Sequence, residues 1–237
     1  MDEMLLKIFK ILEKEFGSQG WWPTTRDDKL IPEYNSSNST RALSDKERLE
    51  IVFGAILTQN TSWKNVEKAI INLNKNNLIN VNKISNISQE ELAELIKSSG
   101  YFNQKAERLK IFCNYLIKNY EGNISKFFEK NIDELRQELL SIKGIGPETA
   151  DSIILYAAQK PIFVIDAYTK RVFSRLGICN NNINYDQLQQ LFHSNLKNDV
   201  KLFNEYHALI VELAKGFCKT KPLCNKCPIN NICKKII

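Results

Sequence analysis

Four cysteines near the end of the chain have the spacing of a metal centre. Cys218, Cys224, Cys227 and Cys233 form the pattern C-x5-C-x2-C-x5-C. Clustered thiols in an intracellular protein usually hold a metal and seldom form disulfides. Four thiolates suit zinc and an iron–sulfur cluster about equally on ligand type alone. The spacing therefore predicts a metal centre and leaves the metal open.

A second candidate site lies at a Gly-x-Gly turn that opens a helix. Gly144 and Gly146 follow an apolar segment ending at Ile142, and Pro147 stands where the first helical residue would fall. Proline suits a helix start because its missing N–H has no partner there. The turn leaves N–H groups at the positive end of a helix, which favours a phosphate. Such turns also join ordinary helices, so the turn alone does not establish phosphate binding. The residues around it must be considered as well.

An aspartate in an apolar setting follows twenty residues after Gly146. Asp166 lies in the stretch FVIDAYTK. One carboxylate can stabilise positive charge that develops on a sugar, and it can orient or deprotonate a nucleophile. It can also cap the next helix, and both roles are compatible. The turn and the acid together indicate a protein that handles nucleic acid.

Composition narrows the class of protein. The 237 residues, 43% hydrophobic and 25% charged, suffice for one large or two small domains. No window approaches the roughly 18 apolar residues of a membrane span, and the charged N-terminus MDEMLLKIFKILEKEF is unlike a signal peptide. We therefore expect a cytoplasmic protein. The net charge of +6 is compatible with a basic face against phosphates but does not establish DNA binding.

Helices must position these residues, because apolar residues recur at helical spacing through the whole chain. Apolar spacing predicts a helix over residues 3–16. Ser44 and Glu47 predict a capping box before two helices that are broken at LTQNTS. Residues 88–119 predict two helices joined by SGYFNQKA, and residues 131–142 predict a short helix before the Gly-x-Gly turn. With no alternating strand pattern, the predicted fold is all-α.

These motifs together resemble the helix-hairpin-helix DNA glycosylases related to endonuclease III. LSIKGIGPETA is similar to the hairpin whose amides hold a DNA phosphate, and VIDAYTKRVFSRLG to the segment of the catalytic aspartate, here Asp166. The resemblance covers nearly the whole chain. It implies an all-α helix-hairpin-helix DNA glycosylase fold, with two helical domains and the active-site cleft between them. The expected domains are a six-helix barrel at 43–160, with the hairpin at 139–158, and a helical domain formed by 1–42 plus 161–237.

The same resemblance implies roles for residues outside the hairpin. Gln59 matches a glutamine whose side chain enters the space left by the extruded nucleotide. Tyr101 or Phe102 matches an apolar wedge that is pushed into the base stack. Lys105 and Arg108 follow and are expected to meet the DNA backbone.

For the cysteines, the resemblance implies a [4Fe–4S] cluster. The family closes with a four-cysteine loop that binds one, and the matching ligands here are Cys218, Cys224, Cys227 and Cys233. This chain departs from the commoner spacing by one residue, since five residues rather than six separate the first two cysteines. Zinc, or no metal, remains the alternative.

Two tryptophans and a glutamate point to one branch of the family. Trp21 and Trp22, in WWP, resemble the base pocket of the 3-methyladenine glycosylases similar to endonuclease III. The pair is interpreted either as a stacking wall for a flipped base or as a loop anchored on the core. Members that also nick DNA carry a lysine in the hairpin helix, where this chain has Glu148, so we expect a monofunctional enzyme that uses water. Lys215 matches a lysine of that branch, whose WWP members lack the cysteine cluster.

The function that the resemblance implies is base excision repair. We expect a DNA glycosylase that acts as a monomer on double-stranded DNA, away from membranes, and hydrolyses the N-glycosidic bond of a flipped alkylated purine such as 3-methyladenine. Asp166 and Glu148 are the expected catalytic residues. Three alternatives remain: a glycosylase with lyase activity on oxidised pyrimidines, a mismatch glycosylase for thymine or uracil opposite guanine, and a non-catalytic DNA-binding module.

Overall fold

A computed structural model describes residues 1–27, 29–34 and 41–236. Within these ranges, helices are the only secondary structure apart from one antiparallel bridge between Thr24 and Glu33, and the predicted all-α fold is confirmed. The α-helices are α1 Asp2–Phe16, α2 Asp45–Leu57, α3 Trp63–Lys75, α4 Val81–Asn86, α5 Gln89–Leu95, α6 Phe102–Tyr120, α7 Ile124–Phe128, α8 Ile132–Ser141, α9 Pro147–Ser152, α10 Ala167–Leu176, α11 Tyr185–Asn195 and α12 Val200–Gly216. None of the described helices is long and apolar enough to cross a membrane.

Local sequence signals set several helix ends. The predicted capping box is confirmed, because the Ser44 side chain accepts from the Glu47 amide and the Glu47 carboxylate accepts from the Ser44 amide. Asp166 caps α10, and Gly177 ends that helix in the left-handed region at φ 73°. These ends need no distant partner, which is why the sequence predicts them.

The chain divides into two compact units. One contains Met1–Trp21 and the chain from Pro161 onward, with α1 and α10–α12. The other contains Trp22–Tyr34 and Arg41–Lys160, with α2–α9. The predicted barrel limits at residues 43 and 160 stay a prediction.

Each unit has its own core. In the first, aromatic rings pack on one another, and Phe163 stacks on Phe192 with ring centroids 3.7 Å apart. In the second, α2 is buried at every residue from Leu49 to Leu57. Because the helix is fixed in the core as far as Leu57, the loop that follows, including Gln59, starts from a rigid base.

Candidate functional site

The predicted helix-hairpin-helix is formed by α8, a turn at residues 142–146, and α9. Gly144 has a φ of 92°, in the left-handed region where only glycine is unstrained. Gly146 is extended and exposed and precedes α9, with Pro147 as the first helical residue. The chain continues from α9 into a buried π-helical turn, Ile153–Ala157. Gly146 thus lies at the surface beside a buried support, whereas the Ile145 amide donates to the Ile142 carbonyl oxygen at 3.1 Å.

Two charged side chains lie at the surface of the hairpin. Glu148 is exposed in the first turn of α9, where the helix dipole favours an acid. Lys143 pairs with Glu107 of α6 at 2.7 Å. The hydrogen bond and charge of Lys143 lower the pKa of the Glu107 carboxyl. Lys143 is therefore engaged in an ion pair beside the turn.

Gln59 lies against the hairpin. Its Nε2 donates to the Gly144 carbonyl oxygen and to Thr149 Oγ1, both at 3.0 Å. Its Oε1 accepts from Arg108 Nη1. The side chain is thus fixed by residues that the sequence did not connect with it.

Lys105 is buried, so the expectation that it meets the DNA backbone is wrong. Its side chain is enclosed, with 1% of the residue exposed, and Nζ donates to the carbonyl oxygens of Leu57 and Ser99, each at 2.7 Å. Burial, together with the charge of Arg108, lowers the pKa of Lys105 to about 8. The ammonium group joins the end of α2 to the turn before Tyr101.

The two wedge candidates differ in exposure. Tyr101 is 67% exposed and has a left-handed backbone, φ 46°, immediately before α6. Phe102 is half-buried, and Lys97 Nζ lies 5.9 Å from the centre of its ring. Of the pair, Tyr101 presents the larger apolar surface to solvent.

The two tryptophans also differ. Trp22 is buried, with 6% exposed, and its ring contacts Trp63 and Tyr156 at centroid distances of 5.5 and 5.3 Å. A Cβ at position 54 would lie 3.0 Å from the Trp22 ring, so Gly54 makes room for it. Trp22 therefore anchors its loop in the core, which agrees with the interpretation of the pair as a loop anchor and not as a stacking wall. Trp21 is half-exposed.

The sequence analysis missed Glu205, which holds the segment before Trp21. The Glu205 carboxylate accepts from Ser18 Oγ at 3.0 Å and from the amides of Gln19 and Gly20, each at 2.9 Å. It is buried in α12. An acid among the apolar residues of NEYHALIVELA was the only sequence signal, because its partners lie more than 180 residues away.

A second buried glutamate holds the segment after Trp22. Glu50 of α2 accepts from the Thr25 amide at 2.7 Å and from Asn74 Nδ2 at 2.8 Å. Burial raises the pKa of Glu50, and these donors only partly oppose the shift. The loop that carries WWP is therefore fixed at both ends by carboxylates.

Asp166 presents its two oxygens to different partners. Oδ1 accepts from the Thr169 amide at 2.7 Å and from Thr169 Oγ1 at 2.8 Å, so it caps α10. Oδ2 lies 3.6 Å from His207 Nε2. Burial raises the pKa of Asp166, but the nearby His207 and the donors of Thr169 outweigh burial, and the pKa of Asp166 lies below its ordinary value. The group is therefore an ionised carboxylate at neutral pH, with one oxygen fixed as a helix cap.

The four cysteines line one cavity. Cys218, Cys224, Cys227 and Cys233 surround a space of about 410 Å³ that includes its open mouth. Apolar side chains complete the lining, among them Val172, Leu176 and Ile229. Burial raises the pKa of the Cys227 thiol, and the charges of the other three cysteines act in the same direction.

Four thiolates suit zinc and an iron–sulfur cluster alike, so the ligand type leaves the metal open. Among the residues that the structure describes, no group of three or more His, Cys, Asp or Glu side chains converges on one point as a bound metal ion would require. The metal centre therefore stays a prediction. The Lys235 amide also donates to Cys233 Sγ at 3.3 Å, the kind of bond that favours a thiolate.

Two arginines of α10 hold the loop of the first cysteine. Arg171 Nε donates to the Cys218 carbonyl oxygen at 2.8 Å. Arg175 Nη1 donates to the carbonyl oxygen of Lys219 at 2.6 Å, and Nη2 to that of Thr220 at 3.2 Å. Nη1 also lies 3.4 Å from Cys218 Sγ. One helix thus starts at Asp166 and ends beside the cysteines.

Lys215 is exposed in the last turn of α12. The structure gives no contact that assigns it a role, and its match to a lysine of the 3-methyladenine branch stays a prediction.

The fold and these sites define the class of helix-hairpin-helix DNA glycosylases. Residues 53–198 match the family described as the HhH-GPD superfamily of base excision DNA repair proteins, and the chain belongs to that family. The resemblance to endonuclease III-like glycosylases is thereby confirmed.

Three relatives illustrate the range of the family. "Putative DNA repair glycosylase MJ1434" of Methanocaldococcus jannaschii is 47% identical, over 98% of this chain and 96% of its own. The H. pylori 3-methyladenine DNA glycosylase, solved bound to 1,N6-ethenoadenine, is 30% identical with a TM-score of 0.67, over 90% of this chain and 96% of its own. Endonuclease III trapped on DNA has a TM-score of 0.75 at 19% identity, over 99% and 96%, which shows a shared fold.

Proposed function

We propose that this chain is a monofunctional DNA glycosylase that hydrolyses the N-glycosidic bond of a flipped alkylated purine, such as 3-methyladenine, and leaves an intact abasic site. The observation that carries the proposal is Glu148, an exposed acid in the hairpin helix where lyases of the family carry a lysine. The similarity to a 3-methyladenine DNA glycosylase over 90% of the chain supports the substrate class.

Asp166 is the proposed catalytic carboxylate. Its lowered pKa keeps it ionised at neutral pH, which suits a group that stabilises an oxocarbenium-like sugar. With Oδ1 fixed by Thr169, Oδ2, which lies 3.6 Å from His207 Nε2, is the proposed oxygen that orients water and accepts its proton. Such a fixed orientation lowers the reorganisation needed at the moment of reaction.

The substrate accounts for the remaining chemistry. An N3- or N7-alkylated purine carries a positive charge and has a weakened glycosidic bond, so it needs little activation as a leaving group. Indole stacks well on a cationic base, and half-exposed Trp21 is the proposed stacking surface. The exposed carboxylate of Glu148 would attract the positively charged base. For that reason Glu148 is proposed as a catalytic residue together with Asp166. No lysine nucleophile is required.

DNA contacts are proposed for the exposed elements around the hairpin. The amides near Gly144 and Gly146 hold a phosphate, Tyr101 is the wedge with Phe102 behind it, and Gln59 lies beside the extruded nucleotide. Exposure supports the roles of Tyr101 and Gly146, and family position supports all of these roles. The chain is expected to bind damaged duplex DNA as a monomer.

We further propose that Cys218, Cys224, Cys227 and Cys233 hold a [4Fe–4S] cluster. The common cavity, its apolar shell and the amide donor to sulfur support a thiolate-bound metal centre, and the resemblance to endonuclease III favours a cluster over zinc. A bound cluster would supply four covalent ties to the C-terminal loop and a redox-active iron centre.

The test is a release assay on oligonucleotide duplexes that each carry one lesion. We expect release of 3-methyladenine and 7-methylguanine, with strand breaks appearing only after alkali treatment. Borohydride should trap no covalent complex, because no amine attacks the sugar. Release of thymine glycol with strand cleavage, or of thymine opposite guanine without alkyl-base release, would select an alternative function.

A further inference from the structure

The hydrogen-bonding groups of the Gln59 amide are engaged by the hairpin and its neighbour. Both Nε2 hydrogens are used, on the Gly144 carbonyl oxygen and on Thr149 Oγ1, and Oε1 accepts from Arg108. The chemistry fixes this orientation, because a guanidinium only donates and a carbonyl only accepts. The side chain therefore occupies one conformation in the free protein.

Arg108 reaches Gln59 by lying across the hairpin glycine. A Cβ at Gly144 would stand 2.6 Å from Arg108 Cγ and 2.8 Å from Cδ. The φ of 92° would strain the same substitution independently. The ion pair between Glu107 and Lys143 lies one residue away on both elements. Helix α6, the turn and the loop that follows α2 thus meet at the Arg108 side chain.

We propose that Arg108 is a positioning residue that locks Gln59 onto the hairpin turn before DNA arrives, so that this loop and the hairpin engage a damaged site as one rigid unit. This inference rests on the proposed function, in which Gln59 lies beside the extruded nucleotide. A glutamine that is ordered only on binding loses rotamer freedom at that step and weakens the complex. Because Arg108 orders Gln59 beforehand, this entropy is not lost when DNA binds. Affinity for a damaged site should therefore depend on Arg108 more than affinity for undamaged DNA does.

The competing explanation is that Arg108 contacts a DNA phosphate, as the sequence suggested. The two roles separate in a double-mutant cycle. The variants are Arg108→Met, Gln59→Met and the double variant, with Arg108→Lys as the charge-preserving change. Lys143→Met is the matched control, because it removes one positive charge from the same turn without touching Gln59. Dissociation constants are measured for a duplex with a tetrahydrofuran abasic site and for an undamaged duplex, at several salt concentrations.

We expect Arg108→Met and Gln59→Met each to reduce the preference for the abasic duplex on the order of tenfold, about 1.4 kcal/mol. The double variant should lose no more than either single variant, because both remove the same lock. Arg108→Lys should lose preference too, since an ammonium cannot lie across Gly144 and present the same donor. Lys143→Met should lower affinity for both duplexes equally.

Three results would overturn the inference: additive losses in the double variant, wild-type preference in Arg108→Lys, or an equal loss for both duplexes in Arg108→Met with a salt slope reduced by about 0.9. Melting temperatures show whether each variant is folded, and Arg108→Gln replaces Arg108→Met if that protein is unstable. Abasic-site binding does not depend on which base is released. A protein that shows the coupling but ignores 3-methyladenine would therefore refute the proposed substrate and leave this inference intact.

Discussion

Asp166→Asn should separate catalysis from folding. Asparagine is as good an N-cap as aspartate, so the amide oxygen can keep the bonds from Thr169, and α10 should lose little stability. The charge at Oδ2 is lost. Removing one electrostatic stabiliser from an active site typically lowers turnover about 10²- to 10³-fold. We therefore expect base release to fall by at least about 10²-fold, with binding to an abasic duplex almost unchanged.

Asp199 supplies the matched control, because it caps α12 by accepting from the Leu202 amide at 2.9 Å. Asp166→Ala and Asp199→Ala each remove a cap, which costs about 1 kcal/mol and lowers the melting temperature by about 2–4 °C. Only the change at Asp166 should abolish base release. Single-turnover release, fluorescence anisotropy and thermal melting measure the three quantities. If Asp166→Asn lowers binding and melting temperature as much as it lowers release, Asp166 is structural and the assignment fails.

Four further substitutions test other parts of the molecule. Purified protein should be yellow-brown with roughly four irons per chain, and Cys224→Ala should lose the colour; metal analysis that finds stoichiometric zinc in a colourless, fully active protein would contradict the cluster. Lys105→Met leaves two buried carbonyl oxygens without this donor, at about 1–3 kcal/mol each. Because the folded pKa of Lys105, about 8, lies below its unfolded value near 10.4, its contribution to stability grows as the pH rises between them, and denaturant melts should show that rise in wild type and not in Lys105→Met. Trp22→Ala should destabilise the protein by about 3–5 kcal/mol, and an unchanged melting temperature would contradict its place in the core. Trp21→Ala should lower alkyl-base release.

Features that depend on neighbouring residues were predictable. The capping box at Ser44, the glycine turn at Gly144 and the cap at Asp166 each involve groups within a few residues of one another. The spacing of the four cysteines carried information because all four lie in one short segment and need no distant partner to line one cavity.

Features that depend on distant partners were not predictable. The place of Trp22 is decided by the missing side chain of Gly54 and by the rings of Trp63 and Tyr156. Lys105 was expected to be exposed, yet its ammonium group donates to two carbonyl oxygens that have no partner within their own helices. The residue type shows that a buried charge needs hydrogen-bond partners. Which residues provide them is known only from the fold.

The hydrogen bonds from α10 to the cysteine loop bear on which substitutions related proteins could tolerate in that loop. Arg171 and Arg175 hold residues 218–220 largely through main-chain oxygens, which every amino acid offers. Substitutions in that loop, even of its cysteines, leave these anchors in place. A related chain without these cysteines could therefore keep the same loop conformation, because the main-chain bonds to Arg171 and Arg175 do not depend on them.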